Sequence, residues 1–161
     1  MERRKFLSMT LGALALAVVP ASVRAADFRK SNPAVWTTKN VMNGTKVTEE
    51  GVMSAIKALY GSNSLTMEGV KLKAPDVASN GGAIPVDFST QKDVKSIAVF
   101  QNANPEAAVL VIDVNKYSVN KYSIKIKMAS SGTITIVAQG NGGKLYAAQK
   151  TLDVALGGCE G

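Results

Sequence analysis

The chain has 161 residues, 46% of them hydrophobic and 19% charged, with a formal net charge of +7, no histidine and one cysteine. Without imidazole there is no Ser-His-Asp or Cys-His nucleophile site, and one thiol alone cannot build a structural zinc site, so the commonest routes to hydrolysis and transition-metal chemistry are closed. The length suits one domain with a real hydrophobic core.

The chain opens MERRKFLSMTLGALALAVVPASVRA. A basic start, an apolar run from about Leu11 to Val19 and small residues near Ala25 give the layout of a cleavable secretory signal, too short for a membrane span. Residues 1–25 are therefore expected to be removed, with cleavage after Ala25 or Ala26. Arg3 and Arg4, followed two residues later by Phe6-Leu7, resemble the twin-arginine (Tat) motif that carries folded proteins across a bacterial inner membrane; an ordinary basic leader is the alternative. This address implies the periplasm. It carries Arg3, Arg4, Lys5 and Arg24 against Glu2, so its loss removes three of the seven net positive charges.

Residues 26–156 are expected to form the folded domain. From Ala26 to about Val47 the pattern is mixed, with Asn32-Pro33 and Asn43-Gly44 as turn signals. Asn43-Gly44-Thr45 also matches a glycosylation acceptor, a modification not normally made on a bacterial exported protein. Next comes TEEGVMSAIKALYG. Thr48 can cap, Glu49 and Glu50 suit the first turn, and Val52, Ala55, Ile56 and Leu59 share one helical face, so a helix is predicted over about 49–60 with Gly61 as its stop.

Beyond it the apolar period changes from 3.6 to 2. SLTMEGVKLKAP, GAIPVDFST, VKSIAVFQN, AAVLVIDV, YSIKIKMAS, GTITIVAQ and KLYAAQKTLDVAL are seven segments rich in Val, Ile and Thr, separated by turn formers. Ile84, Val86 and Phe88 fall on one face, as do Ile124, Ile126 and Met128. Antiparallel sheets with one buried face each are expected, arranged as a mainly β, immunoglobulin-like sandwich with one N-terminal helix. No cysteine pair pins the sheets, so packing alone must hold them.

The lysines alternate with apolar residues, as in KYSIKIK at 121–127, and read as solvated strand faces rather than a nucleic-acid footprint. QGNGGKLY at 139–146 reads as a hairpin turn, since no helix follows to make a phosphate cradle. Asp76, Asp87, Asp93, Glu106, Asp113 and Asp153 are scattered singly, so catalysis by this chain alone is not expected. No metal or cofactor site is expected either. Folded export without a cofactor favours the other use of the Tat route, carriage of a signal-less partner subunit.

The chain ends Leu156-Gly157-Gly158-Cys159-Glu160-Gly161. Cys159 lies past the last predicted strand among residues with nothing to pack, and the lipobox and prenylation patterns are absent. An exposed thiol remains. Gly157 and Gly158 give wide backbone freedom, and three residues from Leu156 span at most about 10 Å. Residues 157–161 thus have the form of a swinging arm that can enter a narrow cleft. An intermolecular disulfide is the competing use of such a thiol, in a structural or adaptor protein.

VALGGCEG, KLKAPDVASNGGAIPVDFST, VKSIAVFQNANPEAAV, YSIKIKMASSGTITIVAQ and the KLYAAQKTLDV strand, in that setting, resemble the SoxY family, the sulfur carriers of the bacterial thiosulfate-oxidising (Sox) system. The similarity runs from roughly Thr48 to Gly161. It implies a non-catalytic carrier that pairs with a signal-less Ig-like subunit, SoxZ. It further implies that thiosulfate is joined to Cys159 as an S-thiosulfonate by a c-type cytochrome enzyme, that a hydrolase then releases sulfate, and that other enzymes handle the remaining persulfide. The family tail is typically Gly-Gly-Cys-Gly-Gly, whereas here Glu160 follows the cysteine and sets a negative charge beside its thiolate.

Overall fold

A computed structural model describes residues 33–40, 42–43, 46–47 and 50–155. The leader with Arg3 and Arg4, the Thr48–Glu49 start of the predicted helix, and the whole tail from Leu156, with Gly157, Gly158, Cys159, Glu160 and Gly161, lie outside the described residues.

A short helix α1 (Pro33–Thr37) opens the described chain, where Asn32-Pro33 had suggested only a turn; proline is well suited to a helix's first position. Two short strands, β1 (Met42–Asn43) and β2 (Lys46–Val47), pair antiparallel. Helix α2 (Glu50–Tyr60) matches the predicted one, burying Gly51, Val52, Ala55 and Ile56. It ends at Gly61, whose φ of 74° closes the last turn with an N–H bond to the Lys57 carbonyl. Gly51 is where the helix touches the preceding segment: a Cβ there would sit 2.5 Å from both Asn40 Cα and the Lys39 carbonyl oxygen.

Two sheets follow. The larger takes β3 (Leu65–Thr66), β11 (Leu145–Val154), β10 (Gly132–Gly140), β7 (Val94–Gln101) and β8 (Ala108–Asp113) in that order, with β5 (Val77–Ala78) also on β11. The smaller takes β4 (Val70–Lys73), β6 (Ile84–Thr90) and β9 (Lys121–Ile126). Period-2 alternation sends Ile84, Val86 and Phe88 of β6 inward, with Ile126 and Met128, onto Ile97, Val99, Ile134, Ile136 and Leu152 of the larger sheet. That is the expected sandwich core. Asn141-Gly142-Gly143 closes the predicted hairpin between β10 and β11, with Gly143 at φ 86° and the Gly140 N–H bonded to the Lys144 carbonyl.

Three expectations are corrected. The first predicted strand, SLTMEGVKLKAP, is two: β3 lies on the larger sheet, and the chain crosses to the smaller one as β4 just past Gly69, whose φ is 74°. The sheets are not wholly antiparallel, because β3 and β5 run parallel to β11, covering the two ends of an edge that would otherwise offer unpaired backbone groups. The larger sheet is also buried on both faces. Ala98, Phe100, Val137, Leu145 and Ala147 point away from the sandwich and pack on Val35, Val52, Ala55 and Ile56. Near-continuous apolar runs such as those of β7 and β10 are what a sheet covered on both sides requires.

Candidate functional site at the end of the last strand

The predicted site residues lie beyond the described chain, so what the structure supplies is their root. Through Leu152, β11 is paired antiparallel with β10, Leu152 standing opposite Gly132. Its last residues then change neighbours. The Asp153 N–H donates to the Asp76 carbonyl and the Ala155 N–H to the Ala78 carbonyl, both at 2.9 Å, while the Val154 N–H donates to Ser131 Oγ at 2.9 Å on the other side. With Leu152 buried in the sandwich core, the point where the tail leaves is held from two sides and from below.

The residues on either side of Ser131 are held by the loop behind them. Asn104 Nδ2 donates to the Lys127 carbonyl and Asn104 Oδ1 accepts the Ala129 N–H, both at 2.8 Å. Asn102 Oδ1 accepts the Thr133 N–H at 2.7 Å, and Gly132 runs so close that a Cβ would fall 2.6 Å from that oxygen. Gln101, 1% exposed, anchors this QNANPE segment: its Oε1 accepts the N–H groups of Ala103 and Asn104, and its Nε2 donates to the Glu106 carbonyl. Asn40 Nδ2 donates to the carbonyls of Gln101 and Asn104, linking the segment to the chain before α2. Sequence reasoning missed this polar hub. Buried amides are costly to leave unpaired, and a run of Gln and Asn between strands was the available signal.

The carboxylates near the root are exposed, and Lys150 is half-buried. Lys150 pairs with Asp76 and holds its carboxyl below the usual range by hydrogen bonding and charge; Lys39 does the same for Glu106. Asp87, Asp93, Asp113 and Asp153 are likewise exposed, as the sequence suggested. Among the described residues no three of Asp, Glu, His or Cys come together as a metal cluster, and no helix is long and apolar enough to cross a membrane.

The root, together with the cysteine's place in the sequence, defines the class: a helix-backed β-sandwich whose one thiol follows the end of its last strand. The model of the family described as sulfur oxidation protein SoxY matches residues 56–159, and the chain belongs to that family. The solved structure of the sulfur carrier protein SoxY from Chlorobium limicola f thiosulfatophilum is 30% identical, covers 64% of this chain and 94% of its own, and superposes with a TM-score of 0.58. A superoxide reductase (neelaredoxin) from Ignicoccus hospitalis is 17% identical, over 54% of this chain and 80% of its own, at a TM-score of 0.49. A search of curated proteins returns no match.

Proposed function

We propose that this chain is a periplasmic sulfur carrier that holds thiosulfate-derived sulfur covalently on Cys159 and presents it to partner Sox enzymes. One observation carries the reading: the family match runs through the described fold and on to residue 159, the cysteine itself. The solved relative's description as a sulfur carrier agrees with it. Cys159 stands four residues past Ala155, a reach of at most about 14 Å, so sulfur can be handled away from the root while the body stays fixed.

In the proposed cycle the Cys159 thiolate and thiosulfate form a sulfur–sulfur bond as two electrons pass to a c-type cytochrome enzyme. Water then cleaves the terminal sulfonate as sulfate, leaving a persulfide for other enzymes. The carrier contributes attachment and delivery, and catalysis belongs to the partners. Glu160 adds a charge that disfavours the thiolate and demands room, or a basic group, in any cleft that admits the tail. Export by the Tat route through Arg3 and Arg4, together with a signal-less Ig-like subunit of the SoxZ kind, completes the proposal.

The test is intact-protein mass spectrometry on material from cells oxidising thiosulfate. The expected adducts are thiosulfonate and persulfide on Cys159, and Cys159→Ser should fold and pair normally but carry neither. Adducts on other residues, or a thiol recovered solely as an intermolecular disulfide, would reject the carrier. Arg3→Lys/Arg4→Lys should leave the precursor in the cytoplasm.

A further inference from the structure

The outer face of the smaller sheet is strongly and one-sidedly charged. Alternation along β4, β6 and β9 leaves Lys71, Lys73, Asp87, Lys121 and Lys125 exposed. The registers set them in rows: Lys71, Ser89 and Lys121 in one, Lys73, Asp87 and Ser123 in the next, Pro85 and Lys125 beyond. Four ammonium groups thus share one carboxylate. None of the four is in an ion pair, the three ion pairs among the described residues using Lys39, Lys144 and Lys150. No lysine stands directly opposite another, since Ser89 lies between Lys71 and Lys121 and Asp87 faces Lys73, so the face is a spaced patch of net positive charge that attracts anionic groups.

The face is also grooved. A depression of about 460 Å³ opens beside Lys71, Lys92, Val119 and Lys121, and a second of about 330 Å³ continues it past Lys73 and Tyr122; Lys71, Ser89 and Lys121 line both. The groove crosses three strands with Lys71, Lys73, Lys92 and Lys121 along it against one carboxylate, Asp87, and so fits an extended acidic segment better than a small anion.

The chain's own tail, residues 157–161, offers a single acidic side chain, Glu160, against four lysines, so a segment carrying several carboxylates is the better match.

We propose that this face docks an acidic, extended segment of a partner protein, whose carboxylates sit on Lys71, Lys73 and Lys121 along the groove, with Lys125 exposed on the same face beyond it. A carrier that visits several enzymes gains encounter rate from such a patch, and in that respect the inference rests on the carrier reading. Docking itself does not need Cys159.

The test is binding of a labelled deca-glutamate peptide to the purified protein, followed by anisotropy and by backbone amide shifts. Lys71→Glu/Lys121→Glu should weaken binding about ten-fold or more, and Lys57→Glu/Lys95→Glu, equal in net charge, by no more than about three-fold. Shifts should cluster on β4, β6 and β9. Equal losses in the two variants, or shifts spread over the whole surface, would overturn the proposal. So would capture of phosphatidylglycerol vesicles through the same lysines without peptide binding, which would assign the face to a lipid surface. If the charge reversals unfold the protein, Lys71→Gln/Lys121→Gln takes their place with the same expected ordering. Cys159→Ser should bind the peptide like the parent, and a loss there would also overturn it. Failure of sulfur loading with peptide binding intact rejects the carrier reading and leaves the docking face standing.

Discussion

At the level of single residues, Gln101 does the most for the region behind the tail root. Its side-chain amide satisfies the N–H groups of Ala103 and Asn104 and the Glu106 carbonyl inside the protein. Gln101→Met keeps the volume and removes those bonds, leaving up to three backbone groups without a partner, each costing about 1–3 kcal/mol. A urea melt is expected to show a loss of about 2–4 kcal/mol. An unchanged midpoint would mean that water replaces the amide. Tyr60 gives a pH prediction. Burial pushes its hydroxyl up to about 12, and Ser96 close by partly offsets this without closing a normal hydrogen bond. Below pH 10 the group is protonated in folded and unfolded chains alike. Between about 10 and 12 the unfolded chain releases the proton while the folded one holds it, so stability falls by about 2–3 kcal/mol as pH rises. Tyr60→Phe should lose that part of the alkaline decline, measured by melts from pH 9 to 12. Cys159 is a candidate that the sequence alone can raise, because its position and the absence of histidine need no tertiary knowledge. Gln101 was harder to single out: its side-chain partners lie within five residues and the run of Gln and Asn was a signal, but the link to Asn40, 61 residues away, depends on the fold.

At the level of elements, α2 was legible almost to the residue because its apolar spacing, acidic start and terminal glycine all agree. β6 was equally clear, its alternation matching its burial residue by residue. The division of SLTMEGVKLKAP was not legible, because both halves have strand composition and no local signal says which sheet each joins. Gly69 is the visible mark of the crossing. At φ 74° it holds a conformation that side chains resist, and a Cβ there would meet Lys92 Cε at 2.7 Å. The lysine end can move aside, so the cost is mainly backbone strain of about 1–2 kcal/mol. Gly69→Ala should lower stability by that amount in a denaturant titration, with amide exchange accelerated in β3 and β4 before the rest of the sheet. Uniform acceleration would show that the crossing is not a local weak point. The parallel pairing of β3 and β5 with β11 escaped the sequence for a related reason: strand direction in a ladder is set by the chain's whole path.

At the level of the molecule, two cores share one sheet. Strands β7, β10 and β11 put one set of side chains into the sandwich and the other under the helices, so the larger sheet is stable as built when both sides are covered. The family match begins at residue 56, inside α2, and so leaves out Val35 and Val52, two of the buried residues that cover the second face. A chain starting at Ser62 would keep nearly all of the matched segment and the entire sandwich, yet would lose Val35, Val52, Ala55 and Ile56. It would open Ala98, Phe100, Val137, Leu145 and Ala147 to water. Removing four buried aliphatic side chains costs on the order of 5–8 kcal/mol, comparable with the whole stability of a domain this size. The shortened chain is therefore expected to aggregate, or to bind hydrophobic dye and unfold without a cooperative transition. A soluble monomer with an unchanged Tm would show instead that the sandwich stands alone. The outcome bears on the carrier as well, because β11, whose first residues Leu145 and Ala147 pack under α2, is the strand that ends at the tail root. In the proposed carrier, loosening one face of that strand would loosen the last described residues before Cys159.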